Sequence, residues 1–400
     1  MNPVILVPGL FGSRLEAVSR KNPSDKKLVW FPSLKTMNED MVYYLWGKYI
    51  SAREEFVSFC DDEYAIQPVL GVDGCLTLTD LYKVPIVGKK ACYFYDMHKM
   101  LVKSGRQVTA FTYDWRQDPT GSFIQSKFRE FIIQQRQVFK TTKFDLVCHS
   151  MGGQVINQFM AQNPDADQFI NKLIILGTPF NGANGRALNY FNIENLRDLK
   201  TSDFVFRGFA GASNYAFTPH KRVDIAIQTG KRNYGVKKCL KGVKETTKTH
   251  QLIIKQLPED SLLIEIFKHA KTLEDAFEMI KQLFKQREEK IYTFENLDEY
   301  FELINDSVLA PLFSFDSDLN RQIQSRLAQK VDIGSIKALV LSGTGKKMLN
   351  FKLEEGIGDK TVLLESAQAY TFDAQYDQIE ATHMEMVGEK VFKKLLDFIK

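Results

Sequence analysis

The chain has 400 residues, of which 44% are hydrophobic and 26% charged, and its formal net charge is +4. This composition is typical of a folded globular protein and excludes a disordered or collagen-like chain. The charge is small for the length and gives no argument for nucleic-acid binding, and no run of about 18 apolar residues predicts a membrane-spanning helix. The five cysteines, few and odd in number, favour a reducing compartment and form no metal-binding pattern.

Short apolar runs that end in small or polar residues predict the buried strands of the fold. They lie at 3–9, 107–115, 144–150, 172–180 and 336–345. Because these runs are apolar throughout, they are typical of strands that are buried on both faces of a parallel sheet. Helical patterns separate them, so the sequence predicts an α/β fold with a mostly parallel, doubly wound sheet.

Two segments depart from this alternation. Residues 20–70 crowd many aromatic side chains together and predict an excursion from the core, near the N-terminus. Residues 187–335 carry a Lys-rich turn and then amphipathic helical patterns through 261–290, which predict a largely helical cap. The core is therefore divided into a first part, 1–186, and a second part, 336–400.

The end of the run FDLVCHSMGG has the pattern of a nucleophile elbow, in which a strand turns sharply into a helix and presents a serine. Ser150 occupies the turn, and Gly152 and Gly153 supply the small side chains that the turn requires. Cys148, still a small residue, stands where the first glycine of the pattern is usual. The alternative interpretation is a serine that caps a helix after a buried strand.

A serine nucleophile needs a histidine base and a carboxylate that orients it, and in this fold the acid and then the histidine follow along the chain. His149 adjoins the serine, but in a strand turn its side chain points elsewhere. Asp359 in a Gly-flanked loop and His383 before the final helix have the required order, so we predict them as acid and base. Three alternative acids precede the histidine: Asp373, Asp377 and Glu380.

Attack on an ester also requires backbone N–H donors for the developing oxyanion. In this fold one donor follows the nucleophile, which assigns Met151, and the other follows an early strand. Gly9 and Gly12 allow the loop VPGLFGS to turn its amides inward. We therefore predict Leu10 as the second donor, with Phe11 close behind.

Several short motifs along the chain match one known family. They are 3–17, Gly71-Val72, 112–116, 149–153, 176–183, 342–345, 356–366 and His383. Through these motifs the chain resembles the lecithin:cholesterol acyltransferase family, which includes lysosomal phospholipase and phospholipid:diacylglycerol acyltransferase. The region 187–335 matches poorly, which leaves substrate choice open.

The resemblance implies an α/β-hydrolase that removes a fatty acyl group from a glycerophospholipid through an acyl-enzyme on Ser150. Water or an alcohol such as a sterol or a diacylglycerol would then accept the acyl group, without a cofactor or metal.

The resemblance also implies a lid that touches a phospholipid membrane or a lipoprotein-like surface through Trp30, Phe31 and Trp46. Aromatic rings packed in an ordinary core are the alternative interpretation. Secreted members of the family carry a lid disulfide, which here would join Cys60 and Cys75. The N-terminal apolar run lacks the positive start of a secretory leader. We therefore expect a cytoplasmic, peripherally membrane-associated protein with reduced thiols.

Two other functions remain open from the sequence. A different cap would make the chain a neutral-lipid or small-ester hydrolase. The alternative from another class is a catalytically inactive hydrolase scaffold that binds lipid or a protein partner. Nothing in the sequence indicates the oligomeric state or decides between water and an alcohol as acceptor.

Overall fold

A six-stranded sheet forms the centre of the protein. Its strands are β1 (Val4–Val7), β7 (Val108–Ala110), β8 (Phe144–His149), β9 (Ile170–Leu176), β12 (Lys337–Thr344) and β15 (Gln375–Glu380). They lie in the order β15-β12-β9-β8-β1-β7, and every neighbouring pair is parallel. The computed structural model describes residues 1–30, 37–75, 93–183, 225–232, 247–281, 284–292, 317–349 and 355–400.

The central strands are apolar throughout because both of their faces are covered by helices. On one face the sheet packs against α3 (Ser122–Phe139) and α4 (Met151–Gln162), through side chains such as Phe128 and Phe159. On the other face it packs against α2 (Tyr95–Lys103) and α10 (Glu389–Ile399). The predicted doubly wound, mostly parallel α/β sheet is thereby confirmed.

The strand β15 was not predicted from the sequence. Its six residues, QYDQIE, have no fully buried side chain, because β15 lies at the edge of the sheet and pairs only with β12. The predicted strand at 107–115 is also shorter than expected, since β7 ends at Ala110.

The excursion at 20–70 folds into small antiparallel sheets beside the core. The central strand of a three-stranded sheet is β2 (Leu15–Ser19), which pairs with β3 (Lys26–Trp30) and with β6 (Tyr64–Pro68). A separate two-stranded ladder consists of β4 (Gly47–Ile50) and β5 (Glu55–Ser58). The helix α1 (Met37–Leu45) lies between β3 and β4 in the chain.

The described part of the predicted cap contains helices and one two-stranded antiparallel ladder. The helical prediction for 261–290 is wrong at its end, because α7 stops at Lys281 and the chain continues as β11. β11 pairs with β10, a long-range partner that no local pattern reveals. The elements are β10 (Ile225–Arg232), α5 (Lys248–Ile254), α6 (Leu262–His269), α7 (Leu273–Lys281), β11 (Phe284–Tyr292) and α8 (Ser317–Leu327). The domain boundaries at 186 and 335 stay a prediction.

The second part of the core places a hairpin between its two strands. β13 (Lys346–Leu349) and β14 (Glu355–Gly358) form this hairpin, and α9 (Leu364–Ala367) follows it before β15. Within the described residues, no helix is both long and apolar enough to span a membrane.

Candidate active site

Ser150 lies in a strained turn between β8 and α4. Its backbone angles are φ 54° and ψ −129°, a combination that residues with a side chain rarely adopt. The Ser150 amide donates to the Leu176 carbonyl of the neighbouring strand at 3.0 Å, which fixes the turn to the sheet. The helix cap interpretation fails, since the Ser150 side chain accepts no capping hydrogen bond. The turn has the geometry of a nucleophile elbow.

The small residues after the serine allow the helix to approach the sheet closely. A Cβ atom on Gly152 would lie 2.4 Å from the Val7 carbonyl oxygen. A Cβ atom on Gly153 would lie 2.0 Å from Oγ1 of Thr178, which itself donates to the Ser150 carbonyl at 2.7 Å. Both distances are far below van der Waals contact, so a larger residue at either position would displace the elbow.

His383 is oriented by Asp359. Its Nδ1 lies 2.7 Å from Oδ2 of Asp359, a buried carboxylate that is 1% exposed. The other carboxylate oxygen accepts hydrogen bonds from the amides of Thr361 (2.9 Å) and Val362 (2.7 Å). These bonds hold the acid in one orientation, and the Nδ1 contact directs Nε2 of His383 away from it.

The three alternative acids do not reach His383. Asp377 pairs with Lys394, and Glu380 lies 3.6 Å from Lys346. Asp373 is exposed on the segment that leads to β15. Asp359 does not follow β12 directly, because the β13-β14 hairpin stands between them.

His149 does not act as the partner of Ser150 but connects two other parts of the site. Its Nδ1 contacts the Tyr93 hydroxyl, and its Nε2 lies 3.0 Å from the backbone carbonyl oxygen of His383. Its ring centroid is 4.6 Å from that of His383. Burial first, and then the neighbouring His383, lower the pKa of His149 well below its usual value, so the ring is neutral.

The loop after β1 lies directly against the elbow. A Cβ atom on Gly9 would be 2.6 Å from Cβ of Ser150. The Gly9 amide donates to the Tyr93 hydroxyl at 3.0 Å and is therefore engaged, which leaves the next amide along the loop, that of Leu10, as a candidate donor. Among the described residues, none accepts a hydrogen bond from the amides of Leu10 or Met151. Met151 is the first residue of α4, where an amide has no acceptor within the helix.

The predicted contact of Trp30 and Trp46 with a membrane is wrong, because both side chains are buried, at 2% and 0% exposure. The Trp30 indole N–H donates to the Phe11 carbonyl at 2.9 Å, and its ring packs 5.0 Å from that of Phe11. Trp46 packs against Phe277 of α7. The core interpretation of these rings is therefore correct. Phe31 lies outside the described residues.

The motif TYDWR fastens the N-terminal excursion to the core. Asp114 and Arg116 form a buried bidentate pair, with distances of 2.9 and 2.6 Å. The Arg116 guanidinium also donates to Ser58 of β5, and the Trp115 indole donates to the carbonyl of Ser13. These hydrogen bonds tie the loop after β1 to the N-terminal excursion.

The lid disulfide of secreted family members is not formed here, since Cys60 and Cys75 are free, buried thiols, as expected from the sequence. Burial raises the pKa of Cys60 to about 12, which keeps the thiol protonated. Within the described ranges, no group of three or more His, Cys, Asp or Glu side chains gathers to hold a metal ion.

Comparison with known proteins supports the family resemblance. Residues 70–195 match the family model described as "Lecithin:cholesterol acyltransferase", a match that includes Ser150 and ends before Asp359 and His383. The chain is 28% identical over 196 residues to "Lecithin-cholesterol acyltransferase-like 4" of Arabidopsis thaliana, covering 46% of this chain and 35% of the relative. It is 29% identical over 195 residues to "Phospholipase A(1) LCAT3" of the same plant, covering 46% and 42%. The resemblance predicted from the motifs is thus confirmed.

A mouse relative, "Lysosomal phospholipase A and acyltransferase", is 29% identical over 202 residues, covering 45% of this chain and 47% of the relative. The chain therefore spans less than half the length of the curated relatives it matches. Among solved structures, the Tle4–Tli4 complex has a TM-score of 0.46 at 12% identity, covering 100% of this chain and 98% of that one. Bacillus licheniformis lipase BlEst2 has a TM-score of 0.36 at 12% identity, covering 100% and 92%.

Proposed function

We propose that this chain, a relative of lecithin:cholesterol acyltransferase, is a serine-dependent lipid acyl hydrolase or acyltransferase. It removes a fatty acyl group from a glycerophospholipid and passes it to water or to an alcohol such as a sterol or a diacylglycerol. The observation that carries the proposal is the strained backbone of Ser150, at φ 54° and ψ −129°, together with a His383–Asp359 pair that has a contact of 2.7 Å. Strain of this kind persists where the surrounding structure enforces it for a function.

In the proposed reaction, Ser150 Oγ attacks the ester carbonyl while Nε2 of His383 takes the hydroxyl proton. Asp359 stabilises the imidazolium that forms, because its carboxylate is buried and in contact with Nδ1. The amides of Leu10 and Met151 donate to the oxyanion. Collapse of the tetrahedral intermediate returns the proton to the leaving lysophospholipid oxygen and leaves an acyl-enzyme on Ser150.

In the second half of the reaction, the O–H of water or of an alcohol gives its proton to His383 while its oxygen attacks the acyl carbon. Collapse of this second tetrahedral intermediate breaks the ester bond to Ser150, and His383 returns the proton to Ser150 Oγ. Water yields a free fatty acid, and an alcohol yields a new ester. Both outcomes use the same residues, so the accessibility of the site to each acceptor decides between them. The names of the relatives, which include a phospholipase A(1) and a lysosomal phospholipase A and acyltransferase, support the choice of a phospholipid as acyl donor.

Product analysis by mass spectrometry tests the proposal. The protein is incubated with phosphatidylcholine vesicles that contain a sterol and a diacylglycerol, with Ser150→Ala as control. For the wild type we expect lysophospholipid together with free fatty acid, sterol ester or triacylglycerol. For Ser150→Ala we expect the rate to fall by about 10⁶-fold. Hydrolysis of soluble short esters without any turnover of vesicles would favour a small-ester hydrolase. No turnover of any ester by the wild type would leave an inactive scaffold.

A further inference from the structure

The pair Tyr93–His149 joins the two backbone segments on which the proposed reaction depends. The Gly9 amide lies 3.0 Å from the Tyr93 hydroxyl, which contacts Nδ1 of His149. Nε2 of His149 lies 3.0 Å from the His383 carbonyl oxygen. The path therefore runs from the loop of the proposed oxyanion donors to the loop of the proposed base.

The donors and acceptors along this path have one consistent arrangement. A carbonyl oxygen only accepts, so Nε2 of His149 carries the proton that it shares with His383. In a neutral imidazole the other nitrogen is then an acceptor, and the Tyr93 hydroxyl donates to Nδ1. The Tyr93 oxygen is left to accept from the Gly9 amide. Every polar atom on the path is satisfied by this arrangement.

Both side chains of the path are buried, and burial keeps His149 neutral. The side chains of Tyr93 and His149 are 6% and 1% exposed, and their rings pack edge to face at 5.3 Å. Desolvation holds the pKa of His149 well below its usual range. A neutral ring is needed here, because a second cation 4.6 Å from the His383 ring would oppose formation of its imidazolium.

The backbone of His383 is consequently held at both ends. Its amide donates to the Asp359 carbonyl at 2.8 Å, and its carbonyl accepts from His149. On the other side of the elbow, the Gly9 amide is held by the Tyr93 hydroxyl, close enough to Ser150 that an added Cβ would lie 2.6 Å from the Ser150 Cβ. We infer that Tyr93 and His149 are positioning residues that couple the oxyanion loop to the catalytic histidine. This inference rests on the proposed function.

Kinetics of Tyr93→Phe test the inference, because the change removes only the hydroxyl. We expect kcat on phospholipid vesicles to fall by about 10- to 100-fold, with KM within about twofold of the wild-type value. Complete removal of one oxyanion donor lowers kcat by about 10²- to 10³-fold, and a displaced donor should cost somewhat less. The matched control is Tyr43→Phe. Tyr43 has the same 6% exposure as Tyr93, but its hydroxyl lies 3.2 Å from Oε1 of Glu63 and not against a residue of the proposed site. We expect wild-type kinetics for Tyr43→Phe. Circular dichroism confirms that each variant is folded.

A double-mutant cycle with His149→Leu separates coupling from two independent structural effects. If Tyr93 and His149 act through the same hydrogen-bonded path, breaking it at either residue has the same effect, so the double variant should lose little more kcat than either single variant. The inference is overturned if the fold-losses in kcat of the two single variants multiply in the double variant. It is also overturned if Tyr93→Phe leaves kcat unchanged or alters only KM, or if Tyr43→Phe loses as much kcat as Tyr93→Phe. Ser150→Ala is measured in parallel. If it is inactive while Tyr93→Phe is unaffected, the inference alone fails; if it is active, the proposed function fails.

Discussion

Asp359 and His383 are joined at two points. The carboxylate Oδ2 of Asp359 lies 2.7 Å from Nδ1 of His383, and the His383 amide donates to the Asp359 carbonyl at 2.8 Å. The backbone bond fixes the spacing of the two loops, so the side-chain contact does not depend on one flexible rotamer. An acid held in this way orients the base at little entropic cost.

Asp359→Asn should therefore separate orientation from charge. The amide is nearly the same size as the carboxylate, so the fold should persist. We expect kcat to fall by about 10⁴-fold, because an amide favours the wrong tautomer of His383 and does not stabilise its imidazolium. Steady-state kinetics on phospholipid vesicles measure this loss. Asp373→Asn, at an exposed acid that we rejected, is the control and should keep wild-type kcat. A large loss in the control with little loss in Asp359→Asn would reverse the assignment.

Gly9→Ala should disable the site from the opposite side. The new Cβ would lie 2.6 Å from Cβ of Ser150 and 2.9 Å from the His149 carbonyl oxygen, so the loop has to move away from the elbow. We expect a loss of about 10²-fold or more in kcat, the effect of losing one oxyanion donor. Gly388→Ala is the matched control, because its Cβ would meet only Glu385 at an ordinary 3.5 Å. Comparable activity of the two variants would contradict the proposed role of this loop.

Trp30→Phe distinguishes support of the loop from contact with a membrane. Loss of the indole N–H breaks the 2.9 Å hydrogen bond to the Phe11 carbonyl. We expect the free energy of unfolding to fall by about 1 kcal/mol, the usual net value of such a bond. Co-sedimentation with phosphatidylcholine vesicles should be unchanged, because the side chain is 2% exposed. Weaker vesicle binding at unchanged stability would restore the membrane role.

The turn that carries His383 should respond to acid through Glu385. A hydrogen bond from the Thr382 amide, followed by the interaction with Lys390, lowers the pKa of Glu385 to about 2 from a usual value of 4.5. Since the folded pKa lies below the unfolded one, the stabilisation is complete above about pH 4.5 and is lost as the pH falls toward 2. Glu385→Gln lacks this contribution.

We therefore expect the difference in free energy of unfolding between the wild type and Glu385→Gln to be constant from pH 7 to about pH 5 and to shrink below that. Urea unfolding at several pH values measures it. A difference that does not depend on pH would mean that the carboxylate charge does not stabilise the turn.

The candidate site residues that a short sequence motif marks could be predicted from the sequence alone. The elbow, the glycine loop and the order of acid and histidine each leave a short signature, and the parallel strands are visible because both of their faces are buried. Tyr93 could not be found in this way, since a lone tyrosine before a helix has no pattern and its role depends on contact with His149, 56 residues later. β15 was missed for a related reason: it is an edge strand, and its pairing with β12 leaves no run of apolar residues.

The burial of Trp30 and Trp46 also depends on long-range packing. An aromatic cluster has the same composition in a core and at a membrane surface. Only the contact of Trp30 with Phe11 and of Trp46 with Phe277 decides between the two. Packing partners that lie far apart in the chain therefore account for most of what the sequence did not reveal.

Labelling with a fluorophosphonate tests the central claim most directly, because this probe reacts only with an activated serine. The wild-type protein is incubated with the probe and digested, and the modified peptide is sequenced by mass spectrometry, with Ser150→Ala and Asp359→Asn in parallel. We predict one adduct, on Ser150, that is absent from the first variant and strongly slowed in the second. An unlabelled wild type, or an adduct on another serine that persists in Ser150→Ala, would contradict the assignment of Ser150 as the nucleophile.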